Sequence, residues 1–206
     1  GPGRDGAVGV ALLAPAALLD LVVYHNELKH LNRIKEFKWA FIYQHILTEV
    51  RKNAVAMFMI ELLTKCLKQP EPNPELFYFV EDSFLHLDNA SNTVVANLPL
   101  FFALHLTHFF GVPLSVLSEK TEASELLYFD LKESVFVKEQ PGHPYFVEGK
   151  PAMVIAELLR VRQPEELENL KLNHTFRRSL LQAVENYYSI HIQEFGALKT
   201  LPVLRE

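Results

Sequence analysis

The alternation of apolar and polar positions is most one-sided in TEVRKNAVAMFMIELLTKCLK, Thr48 to Lys68, where Ala54 to Ile60 is apolar without a break. Glu61, Thr64, Lys65 and Lys68 then return at helical spacing and mark a narrow wet side. An apolar arc that wide needs neighbours on more than one side, so the segment is predicted to be the central helix of a helical domain. Glu61 and Lys65 stand i to i+4 in the order that favours an ion pair. Thr48 is the expected N-cap, with Glu49 suited to the positive helix end. Arg51 and Lys52 share that first turn, where cations are mildly unfavourable, and the mismatch points to a role outside the helix.

Upstream, Gly1 to Gly9 is Gly-rich and reads as flexible or as a cut-off loop. Leu12 to Tyr24 ends in LLDLVVY, where β-branched and aromatic residues concentrate as in a strand. His25-Asn26-Glu27 is the expected turn and Leu31 to Phe37 the returning strand, although its Leu31, Ile34 and Phe37 fall every three. Two strands alone are not independently stable, so they must pack on helices, pair with another chain or belong to a larger sheet.

Downstream, three prolines between Pro70 and Pro74 stop the helix, and Pro74 opens the next, Glu75 to Leu87. Asn92 to Phe110 is a nearly all-apolar helix stopped by Gly111 and Pro113, and Pro99 suits its first turn if it begins near Asn97. Leu117 to Ser124 is loop-like. Between Leu126 and Val147 the period changes, and LYFDL, SVFV and PYFV predict a small antiparallel patch. Lys150 to Arg160 returns to helix, Glu165 to Leu172 is a short acidic element, and Asn173 to Phe195 is a long helix ended by Gly196. The expected fold is mainly α with a small β component and no internal repeats.

Composition narrows the class. At 206 residues, with 49% hydrophobic and 22% charged residues, the chain is that of an ordinary folded protein of one or two domains. Its one cysteine, Cys66, excludes an intrachain disulfide or a cysteine-built zinc site and suits a reducing cytosol. No uninterrupted apolar run approaches the roughly 18 residues of a membrane span, so no membrane role is expected. Gly1-Pro2 has the look of a protease scar with no secretory signal after it, and the chain is expected to be a fragment. The net charge of −5 hides an asymmetry. Residues 1–68 hold nine Lys/Arg against six Asp/Glu, a balance of +3, and residues 69–206 hold eleven against nineteen, a balance of −8. Lys171 to Glu206 turns basic again, so basic ends flank an acidic middle.

Candidate chemistry is sparse. His105 and His108 lie i and i+3, a spacing that can serve a metal, but no Asp, Glu or Cys joins them on that face, so no metal and no cofactor is expected. Cys66 on an apolar face reads as core, not nucleophile. No G-x-S-x-G, P-loop, dinucleotide fingerprint or H-E-x-x-H is present, and Glu165, Glu166 and Glu168 read as a solvated helix start. A hydrolase is the weakest class and no catalytic residue is assigned. Arg33, Lys35 and Lys38, then Arg51 and Lys52, form one basic neighbourhood, and Arg177 and Arg178 open the last long helix. Solubilising charge is the plain explanation of each; phosphate contact is the functional one. Tyr187 and Tyr188, at helical spacing, read as packing residues more readily than as base-stacking platforms. Phe101, Phe102, Phe109 and Phe110 are more than one core face hides easily, so Leu98 to Leu114 is either buried on several sides or borders a pocket for a partner's apolar peptide end.

Several stretches resemble the bacterial recombination mediator family RecO, in its zinc-free form. They are ALLAPAALLDLVVYH (Ala11–His25), RIKEFK (Arg33–Lys38), VRKNAVAMFMIELL (Val50–Leu63) and EPNPELFYFVEDSFLHLD (Glu71–Asp88). The stretch from FDLKESVFV to HPYFVE, ending at Glu148, and FGALKTLPVLRE (Phe195–Glu206) complete an ordered set over nearly the whole chain. The resemblance implies an OB-fold remnant over 1–40, whose early strands are missing, and a helical C-terminal domain over 41–206 with its β patch near 126–147. It implies a non-catalytic cytoplasmic, nucleoid-associated mediator of DNA repair and recombination. Such a protein binds and anneals single- and double-stranded DNA, engages the acidic, Phe-ending tail of the single-strand-binding protein, and helps load RecA together with RecR. On this likeness Arg33, Lys35, Lys38, Arg51, Lys52, Arg177 and Arg178 are candidate DNA contacts, and Phe101, His105, His108 and Phe109 candidates for the tail pocket. Many relatives carry a four-cysteine zinc site near Leu117–Val147; with no cysteine there, the patch is expected to rest on aromatic packing alone. The alternative is a helical interaction scaffold with no nucleic-acid role.

Overall fold

A computed structural model describes residues 15–26, 32–68, 72–111, 114 and 128–205. The expected loop at Leu117–Ser124 lies outside them, as does most of the turn after Asn26. The fold is mainly helical, with two small antiparallel sheets. Strands β1 (Leu18–Tyr24) and β2 (Arg33–Phe41) form a two-stranded ribbon in which Tyr24 faces Arg33 and Leu18 faces Phe41. Register shifts fall between Leu18 and Leu19 and between Val22 and Val23. Little covers the ribbon: Leu21, Val22, Val23, Tyr24 and Ile34 are all exposed, while Leu18 and Phe41 at its inner end pack on the core.

Helix α1 (Val50–Cys66) is the segment predicted to be central, but the centre is α3 (Asn92–Leu106). Helix α3 packs against α1, α2 (Pro74–Asn89), α4 (Lys150–Arg160), α5 (His174–His191) and the 3-10 segment Pro164–Asn169. Its Leu98, Phe102, Ala103 and Leu106 are completely buried. Burying Phe102 alone contributes about 2–3 kcal/mol. The reason is the wet side of α1, where exposed Asn53, Met57 and Thr64 leave that helix one solvent face, whereas α3 is covered by neighbours on most sides. Asn92 to Phe110 is, by length and composition alone, apolar enough to cross a membrane, although polar residues interrupt it throughout. Its most apolar stretch is 67% buried by neighbouring elements, as in a core helix.

Caps explain most boundaries. Pro74 opens α2 as predicted, and the Asn73 side chain caps it by accepting from Leu76 N–H at 2.9 Å. Ser91 caps α3 through Val94 N–H, so the helix starts at Asn92 and Pro99 lies inside it, not in its first turn. That helix tightens into a 3-10 turn at Thr107–Phe110 before Gly111, whose φ of 73° takes the left-handed conformation. Thr48 does not cap α1: its hydroxyl donates to the carbonyls of Gln44 and His45, and Glu49 holds the cap position without a side-chain bond. Asn173 caps α5 at Phe176 N–H, but the helix ends at His191, short of the predicted Phe195.

The β patch is a three-stranded sheet with β3 (Tyr128–Asp130) between β4 (Val135–Val137) and β5 (Phe146–Glu148). Phe129 is buried against Phe136, with ring centroids 4.6 Å apart. Aromatic packing is not the whole of it. Asp130 accepts the N–H groups of Lys132 and Glu133 and pairs with His143 Nε2 at 3.2 Å. His191 Nε2 contacts the Leu131 carbonyl at 2.7 Å, and Ser134 Oγ lies 2.9 Å from Tyr187 Oη. A polar lattice thus ties the sheet to α5.

Candidate partner and nucleic-acid interface

Three helices enter one groove by their N-terminal turns. Arg51 comes from the first turn of α1, Asn92 from that of α3 and His174 from that of α5, followed by Arg177 and Arg178. Helix N-termini carry partial positive charge, and none of these three has an acidic residue in its first turn. Among the described residues, no Asp or Glu lines the groove. Its floor is apolar, built by Ala54, Val55, Val95, Ala96, Pro99 and Leu181, with Val203 and Leu204 of the C-terminal segment as a wall. The cavity is about 160 Å³. An apolar cavity of about 150 Å³ is enough to hold a benzene ring, so this slot suits one aromatic side chain.

The charges at the rim suit an anion. Partial burial, and then the charge of Arg51 beside it, push the Arg177 guanidinium below its ordinary value. Two cations held together in this way are relieved by a bound anion. Arg177 Nη1 also donates to the Leu172 carbonyl, which fixes its orientation. No described carboxylate pairs with Arg51, Arg177 or Arg178, so their charges stay available to a ligand. The groove offers a guanidinium pair for a carboxylate or phosphate directly above an apolar slot.

The other predicted site residues lie elsewhere. Lys52 leaves the candidate surface: it is buried, and its Nζ donates to the Asp88 carbonyl at 2.9 Å and pairs with Glu49 at 3.3 Å. Its neighbour Arg51 points outward because one residue along a helix is a rotation of about 100°. Arg33, Lys35 and Lys38 sit on β2, apart from the groove lining, and Lys35 and Lys38 pair with Glu36 and Asp20.

The predicted pocket at Phe101, His105, His108 and Phe109 is filled by the protein itself. Phe101 is buried with its ring 4.3 Å from that of His105, and His105 Nε2 sits 3.1 Å from the Leu158 carbonyl. Burial, and secondarily the His108 charge, hold His105 below its ordinary value against the opposing pull of that carbonyl. Phe109 packs on Phe79 at 5.3 Å, and only His108 of the four is exposed. Excess aromatic residues in this helix reflect burial on several sides, not an open slot.

Sequence reasoning missed the groove's apolar half. Pro99 reads in the sequence only as a first-turn residue, and Val203 and Leu204 only as part of FGALKTLPVLRE, because no local pattern shows that four segments, near residues 51, 95, 177 and 203, meet. The arginines were the only legible signal. Cys66 is buried and its thiol is pushed up to about 12, chiefly by burial. Tyr187 and Tyr188 are also buried, and the Tyr188 hydroxyl donates to the Ala103 carbonyl at 2.7 Å.

Residues 47–202 match the family described as Recombination protein O C terminal. The chain is 27% identical over 190 residues to the DNA repair protein RecO of Azobacteroides pseudotrichonymphae, covering 92% of this chain and 76% of that protein. It is 29% identical over 203 residues to the DNA repair protein RecO of Christiangramia forsetii, covering 98% and 81%. The protein of the same name from Bacteroides fragilis is 28% identical over 204 residues, covering 98% and 82%. No solved structure matches the chain.

Proposed function

The chain belongs to the RecO family, and from that premise we propose that it is a cytoplasmic DNA-repair mediator that binds partners and nucleic acid and turns over no substrate. The observation that carries the partner reading is the arginine groove. A peptide ending in an aromatic residue presents a ring and a carboxylate at one end, and this groove offers an apolar slot of about 160 Å³ beneath Arg51, Arg177 and Arg178. The proposed occupant is the acidic, Phe-ending tail of the single-strand-binding protein. Upstream acidic residues of such a tail would meet the positive first turns of the three helices. This moves the tail site from Phe101, His105, His108 and Phe109 to residues first considered as DNA contacts.

The DNA-binding part of the reading rests on the family and on the ribbon. Arg33, Lys35 and Lys38 lie along β2, and the exposed apolar residues of β1 fit part of an OB-fold. Binding and annealing of DNA, and action with RecR in RecA loading, belong to the same proposal.

Fluorescence anisotropy with a labelled acidic peptide ending in Phe tests it. Saturable binding that weakens on Arg177→Ala or Arg178→Ala, and on replacing the terminal Phe by Ala, is expected. Absence of saturable binding at high micromolar protein would remove the groove from the proposal.

A further inference from the structure

The last described segment, residues 195–205, is a strap laid across α1 and α5 that ends in the groove. Side chains distant in sequence hold it. Lys65 Nζ donates to the Phe195 carbonyl at 2.6 Å and lies 5.4 Å from the centre of that ring. Glu185 Oε1 accepts Leu198 N–H at 2.7 Å. Glu61 grips the middle: Oε1 accepts Lys199 N–H at 2.8 Å, and Oε2 accepts the Thr200 N–H at 2.8 Å and its hydroxyl at 2.6 Å. Glu61 and Lys65, expected to pair with each other, instead both face the strap.

Thr200 is the pivot between this grip and the groove. Its carbonyl accepts Val203 N–H at 3.0 Å and Leu204 N–H at 3.3 Å, which closes the short 3-10 turn Val203–Arg205. That turn carries Val203 and Leu204 into the groove wall. Val203 and Thr200 also border a second apolar cleft, with Leu47, Val50 and Met57 on its far side. One turn therefore sets the width of both. Leu198 and Leu201 sink into the core and fix the strap's depth, but apolar burial is non-directional. Around Thr200 the directional part of the restraint is the set of hydrogen bonds that the Glu61 carboxylate accepts. Val203 itself is 55% exposed, so its own packing does little to place it.

We propose that Glu61 and Thr200 are positioning residues for partner recognition: their clamp places the Val203–Leu204 wall and so sets the fit of the slot to the peptide's terminal ring. This inference rests on the reading of the groove as a peptide site. Neither residue touches the peptide.

The intact chain and the labelled Phe-ending acidic peptide provide the test. Thr200→Val keeps the side-chain shape and removes the hydroxyl; Thr200→Ser keeps the hydroxyl. Thr200→Val is expected to bind about tenfold more weakly, the loss of one charge-assisted hydrogen bond, and Thr200→Ser within about twofold of wild type. In peptide-free protein, the Val203 and Leu204 methyl NMR signals should shift in Thr200→Val and stay in place in Thr200→Ser. Val203→Ala trims the wall without touching the clamp. Its loss should not add to that of Thr200→Val in the double variant, because both act through one wall. Wild-type affinity in Thr200→Val, unmoved methyl signals, or additive losses would each overturn the inference and leave the groove reading intact. Failure of wild type to bind the peptide would sink both.

Discussion

The ammonium of Lys52 donates to the backbone carbonyl of Asp88 at 2.9 Å, while the Asp88 carboxylate accepts the N–H groups of Gln44, His45 and Ile46 at 2.8–2.9 Å. The end of α2 thereby fastens both the turn leading into α1 and the first turn of α1 itself. Lys52 belongs to this joint, whereas Arg51 belongs to the groove.

That division predicts opposite phenotypes for adjacent residues. Lys52→Met should lower stability by about 1–3 kcal/mol, because it leaves a buried carbonyl without its donor. Peptide affinity should change little in the folded protein. Arg51→Ala should stay within about 0.5 kcal/mol of wild-type stability and weaken peptide binding. Urea unfolding and anisotropy on the two variants separate the roles, and a Lys52 variant of normal stability would contradict the buried geometry.

Asp88 should govern part of the acid limb. Burial alone would raise its carboxyl, but the N–H groups of Gln44, Ile46 and His45, aided by the charge of His45, bring it below the ordinary aspartate value. With the folded value depressed, the unfolded chain takes up the proton first as pH falls. Its stabilisation is complete above about pH 4 and is lost as pH drops through the lower folded value. Asp88→Asn should therefore be destabilised at neutral pH and show a flatter loss of stability below about pH 4. Urea midpoints measured against pH check this; parallel curves for the two proteins would not fit.

Phe101 was a candidate for binding and is predicted to behave as core. Phe101→Ala should cost about 3–5 kcal/mol in urea unfolding. His108→Ala, at the only exposed position of that set, should leave both stability and peptide affinity near wild type. A selective loss of peptide binding in either variant would restore the abandoned pocket.

The ribbon cations should act on nucleic acid alone. Replacing Arg33, Lys35 and Lys38 together by Ala should weaken single-stranded DNA binding and reduce the slope of log affinity against log salt by about 2, at roughly 0.7 per contact. Peptide binding should be unaffected. An unchanged slope would take these residues out of the DNA contact set.

The chain's local chemistry was enough to place the elements. Asn73-Pro74 announces α2, the prolines before it end α1, and the aromatic alternation from Leu126 to Val147 marks the β patch, because caps, φ restrictions and period act over a few residues. Arg51, Arg177 and Arg178 were legible as cations in want of a purpose. Tertiary structure alone decided what they border. Periodicity tells which face of a helix is apolar but not what covers it, so α1 was read as the centre although α3 has neighbours on all sides. Of the two readings open for Leu98 to Leu114, burial on several sides or a bordering pocket, the first holds at Phe101. Glu61 and Lys65 satisfy the local rule for an ion pair, yet each finds strap groups more than 120 residues away that hold it in better geometry. Lys52 and Arg51 share a sequence neighbourhood and separate only because Asp88 stands on one side of the helix and the groove on the other. Contacts that close long loops leave no trace in a local pattern, and the groove is made entirely of such contacts.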